Sequence, residues 1–151
     1  MNTEIKIKML REGAVLPTTA TDGSVGYDVF LPEDVCIFAK SRTKIPLGFA
    51  LEMPDDVFCI IKGRSGCGLN GMPGKYGGKY NANIIDGVID TDYRGELNLT
   101  LQSFEFCSFC LGKGQRIAQL VFLPRIKVDF SNIQSLSETA RGDGGFSSSG
   151  I

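Results

Sequence analysis

The sequence predicts an all-β protein, and three observations carry that reading. Apolar and polar residues alternate with a period of two in stretch after stretch, the pattern of half-buried strands. The breaks between those stretches hold Gly, Pro or Asp, which make turns. No window carries the 3.6-residue apolar spacing of a long amphipathic helix. Many short strands of this kind build a sandwich, a jelly roll or a barrel.

The elements follow in chain order. Ile5, Ile7 and Met9 alternate with Lys6 and Lys8, and Phe49, Leu51 and Met53 alternate before Pro54. Residues 57–61 and 117–123 are denser in apolar side chains and read as core strands. Leu97, Leu99 and Leu101 alternate with Asn98, Thr100 and Gln102. Ile126, Val128 and Phe130 alternate with Lys127 and Asp129 and predict one more strand. Two segments break the rhythm. Residues 63–83 hold seven glycines with Pro73 and two tyrosines, and read as an extended flexible loop. Residues 131–151 are polar and then glycine-rich, a composition that stays disordered in isolation. The expected division is therefore a β domain over 1–130 and a C-terminal arm over 131–151. Fully extended, the arm reaches roughly 70 Å, enough to cross to a neighbouring subunit. Phe146 is out of place in a mere flexible end.

Composition narrows the chemistry. The chain has 151 residues, 42% hydrophobic and 22% charged, with a net charge of -1. That suits a globular domain with a proper core. Without a basic excess, neither a nucleic-acid polymer nor an acidic membrane is expected as the main partner. No apolar run is long enough to span a bilayer. There is no histidine, so acid–base work must fall to Asp, Glu, Lys, Tyr or Cys. Five cysteines, an odd count without a secretory leader, point to free thiols and an intracellular compartment, cytoplasmic or nuclear. Cys107 and Cys110 form a lone Cys-x-x-Cys in an apparent strand, where residues three apart face opposite ways and share no ion. A structural role for both is the expectation.

One segment concentrates ionisable groups beside a β-branched run: Gly87-Val88-Ile89-Asp90-Thr91-Asp92-Tyr93-Arg94-Gly95-Glu96-Leu97. As a β-hairpin it sets Asp90 and Asp92 on one face and Tyr93 on the other. That places a carboxylate and an aromatic ring before a ligand, although a solvated hairpin tip has the same composition. Elsewhere stand donors suited to phosphate: Arg64, Ser65 and Gly66, then Gln119 inside an apolar strand, then Arg141 with the glycines and serines of the tail. Arginine binds phosphate bidentately, and successive glycine amides form anion-holding nests. Phe146 offers a flat face for a base. Phosphates, a sugar and a base together suggest a nucleoside polyphosphate. Singly these features are weak, since Arg64 also suits a structural ion pair, Gln119 a core amide and the tail a linker. No Walker pattern occurs.

Five segments in order resemble the motifs of trimeric-type dUTP diphosphatases (dUTPases): residues 23–29, 63–66, 87–95, 114–122 and 141–150. The resemblance implies a jelly-roll-like β-barrel or sandwich with a flexible C-terminal arm. It implies Mg²⁺-assisted hydrolysis of dUTP to dUMP and pyrophosphate, which limits uracil in DNA and supplies dUMP for dTTP synthesis. By the family pattern Asp90 activates the water that attacks the α-phosphorus in line. Asp28 holds the Mg²⁺ hydration shell, the ion itself sitting on the phosphates. The backbone from Ile84 through Gly87, Val88 and Ile89 reads uracil, and Tyr93 packs under the deoxyribose. Arg64, Ser65, Gly66 and Gln119 serve the phosphate side. Phe146 covers the base while Arg141, Ser147 and Ser148 close over the γ-phosphate. The family is a homotrimer with sites shared between subunits. The chain departs from the family pattern at Cys67-Gly68-Leu69-Asn70 after motif two, at Asp86, and at Ser147 and Ser149 in motif five. Rival readings are a dCTP deaminase of the same superfamily and a catalytically silent nucleotide-sensing or protein-binding module.

Overall fold

The computed structural model describes residues 3–145. Its strands are β1 (Lys6–Met9), β2 (Gly26–Phe30), β3 (Val35–Ile37), β4 (Arg42–Pro46), β5 (Phe49–Glu52), β6 (Val57–Gly63), β7 (Met72–Pro73), β8 (Lys79–Tyr80), β9 (Ala82–Ile85), β10 (Gly87–Ile89), β11 (Asn98–Ser103), β12 (Phe109–Leu111) and β13 (Arg116–Pro124), with one six-residue helix, α1 (Ser65–Asn70). All ladders between them are antiparallel. The largest sheet runs β10-β6-β13-β2, and a second runs β4-β11-β9. β1 pairs with β5, β3 with β12 and β7 with β8. Only β7 and β8 pair as sequence neighbours. The core is therefore closed by long-range pairings, as in a jelly roll.

The sheets converge on one apolar cluster. Val29, Ile37, Ile45, Phe49, Leu101 and Leu120 are fully buried and come from six different strands. The alternation legible along residues 97–101 is the cause for β11: its burial pattern strictly alternates, with Leu99 and Leu101 inward. The dense runs at 57–61 and 117–123 are the two central strands β6 and β13, as expected.

Three expectations are corrected. Residues 126–130 form no strand; Ile126, Val128 and Phe130 are 80%, 64% and 96% exposed. A strand needs a neighbour for its backbone polar groups, and past Pro124 the described residues supply none. Residues 63–83 are not a structureless loop. Cys67 of α1 and Met72 of β7 are buried, and Tyr80 stacks on Phe109 with ring centroids 4.2 Å apart. These apolar anchors order a segment whose glycine content suggested mobility. Finally, Cys107 lies in a bend, and the strand begins only at Phe109.

The N-terminal strand is strapped to the segment that follows Tyr93. The guanidinium of Arg11 donates to both carboxylate oxygens of Glu96, from Nε at 2.5 Å and Nη2 at 3.1 Å. The Gly48 amide donates to the same carboxylate at 3.1 Å. The Arg11 hydrogen bond chiefly holds the Glu96 carboxyl below its ordinary pKa. A depressed carboxyl stabilises the fold above its unfolded pKa, and that contribution fades as pH falls through the folded value. Glu96→Gln should therefore lower the unfolding midpoint at pH 7, with the gap to the parent closing as the solution is acidified below about pH 4. Thermal unfolding followed by circular dichroism from pH 7 to pH 3 checks this; a gap that widened in acid would contradict it.

Candidate active site

The site residues fall into two clusters at opposite ends of the largest sheet. The first is built around Asp28, which is 4% exposed and sits in β2. Arg64 Nε donates to its Oδ1 at 3.0 Å, Gln119 Nε2 donates to the same oxygen at 3.3 Å, and Arg116 Nη1 reaches Oδ2 at 3.4 Å. A buried carboxylate needs such partners.

A β-bulge creates this cluster. β13 pairs with β2 as Arg116 opposite Phe30, then Ala118 opposite Val29, so Ile117 is the extra residue. Arg116 and Gln119 are three apart and would face opposite ways in a regular strand. The extra residue flips the phase between them and sets Gln119 opposite Asp28 instead of Tyr27. Gly26 then leaves room for the amide. A Cβ there would lie 3.0 Å from Gln119 Cδ.

Arg64 caps α1 with extended backbone, φ -82° and ψ 138°. Its hydrogen bond to Asp28 is made through Nε. Ser65 and Gly66 are exposed at the first turn, where backbone amides precede any intrahelical acceptor. Arg64, Ser65, Gly66 and Gln119 thus share one corner with Asp28, a set of donors matched to phosphate oxygens. Arg116, which sequence reasoning passed over inside its motif, pairs opposite Phe30 on the same face as Asp28, and the bulge brings Gln119 to that face beside it.

The second cluster surrounds Asp90. β10 is an edge strand, paired with β6 alone, with Ile89 opposite Cys59. One row of backbone groups along Gly87, Val88 and Ile89 therefore has no strand partner. The expected hairpin is not formed: β10 belongs to the β6 sheet, whereas β11 pairs with β4 and β9. Between them the chain makes a tight turn in which the Tyr93 amide donates to the Asp90 carbonyl at 3.1 Å. Asp90 and Asp92 still share a surface, because the turn exposes both and buries Thr91 between them. They line a polar cleft of about 390 Å³ with Phe58 and Arg125. Arg125 is a second residue that sequence reasoning missed; it lies just beyond β13 and carried no motif signal.

Tyr93 presents a ring that is 42% exposed, and its hydroxyl donates to the Glu96 carbonyl at 3.0 Å. The hydroxyl end of the ring lies against Gly95, where a Cβ would meet the hydroxyl oxygen at 2.4 Å. Arg94 Nη1 ties off the turn at the Thr91 carbonyl, at 2.7 Å.

The two clusters do not meet within one chain. Asp90 stands beside Phe58 at the start of β6, and Arg64 follows its end. Six residues of strand separate them by about 20 Å. Arg141 is exposed on the arm and donates to its own turn, at the Gly144 carbonyl 2.9 Å away. Phe146, Ser147 and Ser148 lie outside the described residues.

No group of three or more carboxylate, thiol or imidazole ligands suits a metal ion among the described residues. Asp28, held by two guanidinium groups, does not suit a direct bond to a cation. Its position among phosphate-type donors does fit Mg²⁺, which retains several waters and takes one or two carboxylates plus substrate phosphates.

Comparison with known proteins identifies the family and the fold. The family model described as dUTPase matches residues 12–150. The chain is 35% identical over 149 residues to deoxyuridine 5'-triphosphate nucleotidohydrolase of Paramecium bursaria Chlorella virus 1, covering 99% of each chain. It is 36% identical to the Hydrogenobaculum sp. enzyme of the same name, covering 98% of this chain and 99% of the relative. Among solved structures, the Staphylococcus bacteriophage 80alpha dUTPase with dUPNHPP superposes with a TM-score of 0.88 at 23% identity, covering 99% of this chain and 100% of the other. A mutant dUTPase from phage phi11 of S. aureus, described with a structural Mg(II) ion, gives a TM-score of 0.77 at 18% identity over 87% of this chain and 97% of the other. A family model matching most of the chain and full-length relatives 35% and 36% identical establish the conclusion: the chain belongs to the dUTPase family.

Proposed function

We propose that the chain hydrolyses dUTP to dUMP and pyrophosphate at sites completed between copies of itself. The observation that carries this reading is the separation of about 20 Å between Asp90 and the Arg64 corner along β6. A bound triphosphate that touches both must take them from different subunits. Two further features support self-association. The alternating Ile126, Val128 and Phe130 are bare in the single chain. An apolar groove of about 890 Å³, lined by Ile5, Ile7, Leu51 and Phe122 among others, is open on the β1–β5 side. A homotrimer gives each arm a neighbour's surface to cover and shares every site.

In this reading the free edge of β10 offers N–H and C=O groups to the acceptor–donor–acceptor edge of uracil. The close fit of that edge leaves no space for a thymine methyl. The Tyr93 ring, resting on Gly95, packs under the deoxyribose where a 2′-hydroxyl would collide. Arg64, Ser65, Gly66 and Gln119 of another copy bind the phosphate oxygens. Asp90 is the base: in a histidine-free chain an exposed carboxylate in a polar cleft takes the proton of the attacking water. The water forms a bond to the α-phosphorus as the bond to the pyrophosphate oxygen breaks. Asp28 would hold the hydration shell of a Mg²⁺ ion, which when bound would supply positive charge to offset the charge developing on the phosphates. Arg141, Phe146, Ser147 and Ser148 close over the nucleotide from the arm and exclude water.

Pyrophosphate release measured with Mg²⁺ should select dUTP over dTTP, dCTP and UTP. Ammonia release from dCTP instead would identify a deaminase. Asp90→Asn should keep nucleotide affinity and cut turnover by about a hundredfold or more; equal turnover would remove Asp90 from the mechanism. Asp90→Asn and Gln119→Ala chains, each crippled alone, should regain activity when refolded together, since some mixed sites inherit both intact halves. Failure to complement, with mixed assemblies shown by mass spectrometry, would mean each site lies within one chain. Gly95→Ala should push the Tyr93 ring off its shelf and reduce the preference for dUTP over UTP by about tenfold, read from the two kcat/KM values.

A further inference from the structure

Cys36 of β3 and Cys110 of β12 stand directly opposite each other in the ladder, and their sulfurs are 2.9 Å apart. The sequence pairs Cys110 with Cys107, but the fold pairs it with a residue 74 positions away. The backbone shows which kind of pair this is. The Cys110 carbonyl accepts the Lys75 amide at 2.7 Å, on the side of β12 away from β3. A strand residue's N–H and C=O point the same way, so Cys110 makes no ladder bond to Cys36. Opposed residues of that kind are the closer spaced, with Cα atoms about 4.5 Å apart. This lies within the span that a disulfide bridges.

Access and chemistry agree. Cys36 is exposed and Cys110 partly so, and both are free thiols. The other cysteines are differently placed. Burial pushes the Cys59 thiol up to about 12, which keeps it protonated. Cys67 is buried in the core, and Cys107 is exposed in the bend before β12. Neither Cys36 nor Cys110 belongs to the Asp90 or Arg64 clusters.

We propose that Cys36 and Cys110 form a reversible dithiol–disulfide site that small-molecule disulfides oxidise. The exposed Cys36 sulfur, as thiolate, attacks one sulfur of the small disulfide, whose S–S bond breaks and releases a thiol. The Cys110 thiolate then attacks Cys36 sulfur in the mixed disulfide and releases the second thiol. Two electrons pass from the protein thiols to the oxidant, and their two protons leave on the released thiols. The product locks β3 to β12 and fixes the strand on which the Lys75 loop hangs. That loop is further held by the Lys75 ion pair with Asp34 and by Gln115 Nε2 donating to the Pro73 carbonyl at 2.8 Å.

Incubation of the full chain with oxidised glutathione, then alkylation and peptide mass mapping, tests this. Two of the five thiols should be lost, with Cys36 and Cys110 peptides linked, the link reversed by dithiothreitol and the unfolding midpoint raised in the oxidised form. Cys36→Ser and Cys110→Ser should each hold a glutathione adduct with no internal link, whereas Cys107→Ser should cross-link like the parent. The Ser variants should turn over dUTP as the parent does. A Cys107–Cys110 link in the parent, or a Cys36 adduct that persists while Cys110 stays free, would overturn the proposal.

Discussion

The geometry of the Arg64 corner depends on one buried acidic side chain. Asp28 is almost inaccessible, and Arg64, Arg116 and Gln119 supply its polar partners. Those partners come from β13 and from the residue after β6, while Asp28 belongs to β2. The carboxylate therefore ties three adjacent strands at one corner and orients the Arg64 guanidinium through a single nitrogen. A low-dielectric site makes this arrangement stringent, because any partner out of place leaves a charge without compensation. The bulge at Ile117 exists in the same economy of constraints: without it, Gln119 would face Tyr27 and the corner would lose its amide.

The second half of the site obeys a different rule. Asp90, Asp92 and Tyr93 stand on a turn between two sheets, held by short-range hydrogen bonds and by contact with Gly95. In the proposed reading, exposure suits Asp90 as a group that exchanges protons with water, and the unpaired edge of β10 suits recognition of a base through its hydrogen-bonding pattern. Edges are hazards for aggregation; here β10 is short, which limits that risk. The chain therefore combines a buried corner at Asp28 with an exposed, locally braced turn at Asp90, and the distance between them makes assembly part of the proposed chemistry.

The glycine-rich stretch after β6 shows how composition misleads when anchors are few but well placed. Cys67, Met72 and Tyr80 are separated by glycines, yet each meets the body of the protein, and the Lys75 amide finds a strand carbonyl. Order comes from these contacts, since the glycines themselves contribute none. The reverse error arises at residues 126–130, where alternation records an intention to bury one face. No surface among the described residues receives it.

Alternation along residues 97–101 and the dense runs of β6 and β13 are local properties, so the all-β class and the central strands were legible in the sequence. The five ordered motifs placed Asp28, Arg64, Gln119 and Asp90 in the dUTPase family for the same reason: residue type and spacing are written in the chain. Which of them share a corner was not. Arg116 and Gln119 come together through a bulge, Cys36 and Cys110 through a long-range register, and Arg125 reaches the Asp90 cleft from beyond a strand end. Each depends on how distant strands align, and strand register follows from global burial and pairing, which no local window contains.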